Sequence, residues 1–499
     1  MSSSDRARTT MEDMEKGENS GQEGALATPL ITPRHSDEDY YSDTNSGISS
    51  KIAGGGEDQI IWMVYLSTLV ALCGSFEFGI CAGYSSPTQA AITKELGLST
   101  AQFSLFGSIA TCGAMVGALT SGSMADLIGR KGTMAISSCT SVAGWITIYF
   151  SKGVMALDVG RLLTGYGMGV FSYVVPVFIA EITPKHVRGA FTTLNMVTLG
   201  CGLTATFALG AVLTWRNLAL IGIVPCCVQL MGILFIPESP RWLAKMGQDQ
   251  KFKAALQQLR GKDSDISEEA SEIQDYVETL QKMGKSRITD LFQRKYMRSL
   301  MIGVGMMVFN QFCGVNGVCY YMSSIFESIG FSSTLGSVVY SSFQVAMCSL
   351  TATRMDNTGR KPFLLVSASG MLIGCVLVGT SFFLKVHQVS SASVDAIAVV
   401  GLMVYGGSYA SGMGAIPWIL MSEMFPVNVK GVAGSLASFV DWIGAWTISY
   451  TFNYLILWSS YGTFLLYAAV NVLAILFVLI MVPETKGKSL EAIQTALNI

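Results

Sequence analysis

The stretch GSMADLIGRKG at 122–132 lies between two apolar runs, Gln102–Met124 and Thr133–Phe150, and returns as TRMDNTGRKP at 353–362 between Gly336–Thr353 and Phe363–Leu384. Asp126 and Arg130 keep in the first copy the spacing that Asp356 and Arg360 keep in the second. Two further echoes follow in the same order: Glu181, Pro184 and Arg188 answer to Glu423, Pro426 and Lys430, and Pro237-Glu238 to Pro483-Glu484. Each echo falls after the second, fourth or sixth apolar run of its half. A run of about 20 apolar residues crosses a bilayer as a helix. The remaining runs are Ile60–Ala82, Met155–Ala180, Ala190–Leu213, Asn217–Ile236, Ser299–Met322, Val394–Met421, Gly431–Leu457 and Tyr461–Val482. The expected fold is an all-α membrane protein of twelve transmembrane helices, in two six-helix pseudo-repeat bundles at 58–236 and 299–482.

Composition agrees with this reading. Of the 499 residues 51% are hydrophobic and 13% charged, with a mean hydropathy of +0.47, where a soluble domain carries about 25% charged residues. The net charge of -2 leaves no basic excess to neutralise phosphate, so nucleic acid is excluded as a general partner and the lipid bilayer is the expected one. All 11 cysteines fall in apolar stretches without CxxC spacing, so they read as small apolar helix residues rather than disulfides or zinc ligands. There is no HExxH, no GxSxG and no phosphate-cradling loop, which argues against an enzyme, and no metal or cofactor is expected. Residues 1–57 are rich in Ser, Gly and acids without an apolar core, the composition of a disordered segment rather than a signal peptide.

Lys and Arg set the orientation. One set of loops holds Arg130, Lys131, Lys185, Arg188, Arg354, Arg360, Lys361 and Lys430, and the polar stretch 237–298 adds many more. The opposite loops hold only Lys94, Lys152, Arg216 and Lys385. Both termini, the linker 237–298 and the tail 483–499 are therefore expected in the cytoplasm. Within the linker, Ile273, Val277 and Leu280 recur at helical spacing, which predicts a cytoplasmic helical pair.

Several motifs carry a family resemblance. They are Asp126-x-x-x-Arg130-Lys131, Gly160-Arg161 with Gly165, Gly167 and Gly169, PVFIAEITPKHVRG (176–189), PESPRW (237–242), Gln311 with Gly314, Asn316 and Tyr320-Tyr321, and PETKGKSL (483–490). Together these resemble the sugar porter family of the major facilitator superfamily, from about Trp62 to Leu490. EFGICAGYSSPTQ (77–89) is similar to the plant early-dehydration-induced monosaccharide transporters. The resemblance implies carriage of a monosaccharide, a hexose-like sugar or polyol, by alternating access. The carrier would be a facilitator or a proton-coupled symporter with a monomeric functional unit. It places solute-binding positions at Gln311, Asn316, Trp418 and Trp442, with Gln344, Phe78 and Tyr321 as further lining residues. Amides suit a sugar because they donate and accept at once, and an aromatic face suits its C–H side. Trp145, Trp446 and Trp458 read instead as lipid-facing or interfacial.

Where the family usually has Gln on the fifth helix stands Met196, the first of its usual Gln pair is Asn310, and an amide before Trp442 is Asp441. Relatives that couple to protons carry Asp where Cys81 stands. Glu77 and Asp441 remain as carboxylates inside apolar helices, and such residues are candidates for carrying a proton. The eroded amides keep open an alternative, a non-transporting membrane sugar sensor on the same fold. Acids and bases at the helix ends, namely Asp126, Arg130, Arg161, Glu181, Arg188 and Glu238 with Asp356, Arg360, Glu423, Lys430 and Glu484, form a candidate conformational latch, because pairing that differs between two states biases their equilibrium. LATPLI (26–31), after Glu23, resembles an acidic dileucine sorting signal, which leaves the vacuolar and plasma membranes as candidate locations.

Overall fold

The computed structural model describes residues 57–184, 187–262, 264–282, 288–389, 392–425 and 427–484, all in the compact unit Gly56–Ile499. The N-terminal segment expected to be disordered, the end of the tail and the Asp356 side chain lie outside the described residues. In hydrocarbon a backbone N–H or C=O must find its partner within the protein, which favours helix, and no strand occurs among the described residues.

The first half is built from α1 (Glu57–Gly83), α2 (Ser85–Leu96), α3 (Thr100–Tyr149), α4 (Val154–Ile182), α5 (Arg188–Gly210) and α6 (Trp215–Ile233). Three short helices follow, α7 (Pro240–Lys245), α8 (Asp249–Arg260) and α9 (Ser267–Lys282). The second half comprises α10 (Met297–Phe312), α11 (Val315–Tyr320), α12 (Met322–Ile329), α13 (Ser333–Thr358), α14 (Arg360–Val386), α15 (Ala392–Ser408), α16 (Ile416–Met424), α17 (Val427–Trp458) and α18 (Ser460–Met481). Among the described residues nine helical segments are long and apolar enough to cross a membrane. One of them, the 50-residue α3, is two helices joined at Gly129 (φ 82, ψ 172).

The apolar runs read from the sequence are present, but three differ in internal form. The run Ser299–Met322 is broken after Phe312, where Gly314 takes φ +100, and again at Tyr321. A Cβ at Gly314 would lie 2.5 Å from the Tyr467 ring, so both backbone and space call for glycine. The run Val394–Met421 passes through a π-helical turn, Tyr409–Met413, before α16. The run Ile60–Ala82 is continued by a separate helix, α2.

Small residues set the closest helix contact. Gly165 and Gly169 of α4 meet Ala110 and Ala114 of α3 backbone to backbone, as small-residue faces do in membranes. Trp145 does not face lipid as expected. It is 0% exposed, its ring lies edge-on to Tyr84 and its Nε1 donates to Glu77 Oε1 at 3.1 Å, because an indole N–H inside the bundle needs an acceptor. Trp446 and Trp458 are exposed. The linker forms its own small core from Leu243, Phe252, Leu256, Ile273 and Val277. Leu280 is 39% exposed and falls outside it.

At Gly169 an added Cβ would sit 2.0 Å from the Ala114 carbonyl oxygen, whereas Gly153 has nothing within 4 Å. Gly169→Ala is expected to lower stability by about 1–3 kcal/mol, the usual range for overpacking, and Gly153→Ala, an N-cap exchange into open space, to lower it less. Thermal melting of the detergent-solubilised protein separates the two. Equal melting temperatures would show that α3 and α4 can move apart without cost.

Candidate functional site

The break in the helix pair α10–α11 frees backbone groups and gathers polar side chains around them. Gln311, in the last turn of α10, donates from Nε2 to Asp441 Oδ1 on α17 at 2.8 Å and to Asn310 Oδ1 at 3.3 Å. Asn316, just past the break, donates to Gln311 Oε1. Asn310 donates from Nδ2 to the Met413 carbonyl at 2.5 Å, and Tyr409 OH donates to Asn310 Oδ1 at 3.3 Å. Tyr405 OH closes the freed Cys313 carbonyl at 3.1 Å. Four residues singled out from sequence, Asn310, Gln311, Asn316 and Asp441, thus form one hydrogen-bonded chain. Its other anchor is the π-turn Tyr409–Met413. Sequence reasoning passed over Tyr409 and this turn, although the glycine-rich run YGGSYASGMG (405–414) carried the signal. π-Turns inside helices are frequent at functional sites.

Around this chain the other candidates separate. The Trp442 ring faces Phe78 of the first half with centroids 6.3 Å apart, so this pair joins the halves beside Asp441. Trp418 is partly buried on α16 and packs on the main core. Gln344 donates to Tyr340 OH and to the Gly406 carbonyl, both at 3.4 Å, next to the π-turn rather than within the chain. Tyr321 is fully packed: it stacks on Phe452 at 5.3 Å, meets Phe103 of the first half, and donates to the Ser449 carbonyl at 3.3 Å. Its geometry is that of a plug between the halves rather than a lining face. Met196 is 42% exposed, on the α5 face that one turn later packs Gly200 against Val345. Its neighbour Asn195 accepts from Ser75 Oγ at 2.5 Å, a polar contact between α5 and α1 that sequence reasoning did not find.

Glu77 lies inside the first half, fully buried, with Oε2 bonded to no protein group. Arg161 corrects the grouping made from sequence. It is 0% exposed, donates from Nη1 to the Cys81 carbonyl at 3.0 Å and from Nη2 to Ser85 Oγ at 2.8 Å, and lies over the Phe106 ring. It cannot reach the helix-end charges, because its guanidinium instead ties α4 to the junction of α1 and α2.

The helix-end charges form two matching triads, each within one half. Arg130 makes a bidentate pair with Glu181 from Nε and Nη2, both at 2.7 Å, and Glu238 accepts from the backbone N–H of Arg130 and of Lys131, both at 3.1 Å. In the second half Arg360 reaches Glu423 at 3.3 Å, and Glu484 accepts from the N–H of Arg360 and of Lys361, both at 3.1 Å. Each lysine then caps a helix: Lys131 donates to the Ile236 carbonyl and Lys361 to that of Leu479. Burial raises the Glu238 carboxyl above the ordinary range, opposed by the N–H groups that favour its charged form. Asp126 links the first triad to the linker through Lys245 at 2.9 Å and through Trp242, which donates to its carbonyl. Arg188 lies among Arg241, Arg260 and Glu269 of the linker, and Lys430 is exposed near Glu423.

A helical bundle with two matched halves, apolar spans and a broken helix at its polar centre defines a transporter of the major facilitator fold. Structures of the xylose transporter XylE from E. coli share it: the inward-open form aligns with a TM-score of 0.74 at 24% identity over 87% of this chain and 99% of that one. The family model described as Sugar (and other) transporter matches residues 38–497, and the chain belongs to that family. Sugar transporter ERD6-like 7 of Arabidopsis thaliana is 60% identical, covering 90% of this chain and 97% of the relative. ERD6-like 16 of the same plant is 49% identical, covering 98% of each. The family is one of membrane transporters, not enzymes.

Arg130→Ala and Arg360→Ala each remove the centre of one triad. Both variants are expected to reach the membrane but to turn over more slowly than the parent. Flux normalised to abundance measures this, and parental flux in both would mean the triads only hold the helix ends in place.

Proposed function

We propose that the chain carries a monosaccharide, a hexose-like sugar or polyol, across a vacuolar or plasma membrane by alternating access, as a monomer in the lipid bilayer. The observation that carries this reading is the hydrogen-bonded chain Asn316–Gln311–Asp441 at the break after Phe312, beside the Phe78–Trp442 contact between the halves. Discontinuous helices near the midplane, at the interface of repeats, are where carriers hold their solute. The names of the relatives, sugar transporters, and of another XylE structure, a proton:xylose symporter bound to 6-bromo-6-deoxy-D-glucose, support the solute class. In this reading Gln311, Asn316, Asn310 and Asp441 meet hydroxyls, Trp418, Trp442 and Phe78 offer apolar faces, and Gln344 and Met196 complete the walls, with Tyr321 packed as a plug between the halves.

The twelve-helix count completes the proposal. The bend at Gly129 divides α3 into two crossings, and α13 and α17, at 26 and 32 residues, are long enough to add two more. The halves are then 58–236 and 299–482, and 1–57, the linker 237–298 and the tail 483–499 lie in the cytoplasm, where positive loops favour them. In this reading the triads act as latches by fixing the cytoplasmic helix ends of each half, so that loosening one alters how readily that half moves. The test is uptake of labelled sugars and polyols, with and without a pH gradient, in cells lacking hexose transport. No uptake of any member at normal abundance would favour the sensor reading.

Two variants address the site. Gln311→Ala leaves Asp441 and Asn316 each without a partner, at about 1–3 kcal/mol for each unpaired buried group, and Trp418→Ala removes an apolar face. Both should raise the half-saturation constant at least several-fold or abolish uptake. Unchanged constants would place the solute elsewhere.

Asp441→Asn keeps an oxygen acceptor for Gln311 at nearly the same volume while removing the charge. If Asp441 exchanges a proton during transport, the variant should transport with a flattened pH profile. Superimposable pH curves for parent and variant would rule Asp441 out and leave Glu77 as the remaining carboxylate.

A further inference from the structure

A polar cavity, about 70 Å³ in volume, opens between the halves, and none of its lining residues belongs to the Gln311 chain. On a measure where one water needs about 10–15 Å³, it has room for several waters or one small solute. It lies at the end opposite the triads: α5 begins at Arg188, and its last turn, from Phe207 to Gly210, lines the cavity. The first half also contributes Ser86 and Gln89 from α2, and the second contributes Ser323 and Ser324 from α12 and Ser337 from α13.

The walls are joined across the halves by hydroxyls. Ser86 Oγ lies 2.9 Å from Ser323 Oγ and accepts from the Ser323 N–H at 2.9 Å, and Ser324 Oγ donates to Gln89 Oε1 at 2.7 Å. Ser337 is 1% exposed, lines the cavity, and its hydroxyl bonds to no protein group. Hydroxyls and amides donate and accept alike, and the lining includes no Lys or Arg to hold an anion. The Phe207 ring supplies an apolar wall.

We propose that this cavity is a second binding site for a small polyhydroxylated solute, a sugar or cyclic polyol, which bridges the halves and holds this end shut. Its walls come from both halves, so it is complete only while they meet. A ligand bound there favours the closed state by its differential affinity, and closure of this end raises the affinity for the ligand in return. The choice of a sugar rests on the carrier reading above, while the cavity itself does not.

Equilibrium binding of radiolabelled D-glucose and of myo-inositol to the purified full-length chain tests this. The parent should show two sites per chain for at least one probe. Ala90→Phe fills the cavity from its exposed rim and should leave one site, the central one. Trp418→Ala should leave one, the outer. Ser323→Ala, which removes a hydroxyl of the wall at nearly constant volume, should weaken the outer site alone. A single parental site that Trp418→Ala removes and Ala90→Phe retains overturns the proposal, as does a parent that binds neither probe. A single site removed by Ala90→Phe and retained in Trp418→Ala supports the outer cavity and overturns the central assignment, so the two failures are distinguishable.

Discussion

A peptide group in hydrocarbon has no water to bond, and every feature of this protein answers to that constraint. Regular helix satisfies it for most of the chain. Where the helix is broken, a side chain takes over. Tyr405 OH bonds the Cys313 carbonyl, Asn310 the Met413 carbonyl, Arg161 the Cys81 carbonyl, and Ser367 both the Ser408 carbonyl and the Met413 N–H. The cluster around Gln311 collects where the backbone departs from the helix, which is how these polar groups come to lie deep among apolar helices.

The same constraint shapes the charged ends. Gly129 and Gly359 both take positive φ just before Arg130 and Arg360, turning the chain so that the next N–H groups point away from any helix carbonyl. Glu238 and Glu484 accept them, and the arginines hold Glu181 and Glu423. Each triad thus binds three distant segments of one half through groups a helix terminus leaves unpaired. Contacts between the halves are of another kind, aromatic at Phe78–Trp442 and hydroxyl at Ser86–Ser323.

Apolar runs, the doubled motif and the excess of Lys and Arg on one set of loops are properties of the chain read in order. The family resemblance picked out Asn310, Gln311, Asn316 and Asp441 for the site, while these properties determined that it is a membrane protein of helices in two related halves. Period and spacing could do this because burial in lipid depends on composition along the chain. Which partner each polar group chose is a different kind of fact. Trp145 looked like a lipid-facing ring until Glu77 was found beside its indole nitrogen, and Arg161 looked like a latch residue until its guanidinium was found on the Cys81 carbonyl. Neither contact has a periodic signature, since the partners lie 68 and 80 residues apart. The tertiary structure alone decided that Arg130 pairs with Glu181 and Arg360 with Glu423, each within its own half, that Tyr321 plugs rather than lines, and that Ser86 meets Ser323 beside a cavity between the halves. Those outcomes depend on how helices far apart in sequence are rotated about their own axes, and rotation is set by packing of small residues such as Gly165 and Gly169 against a neighbour that local sequence does not name.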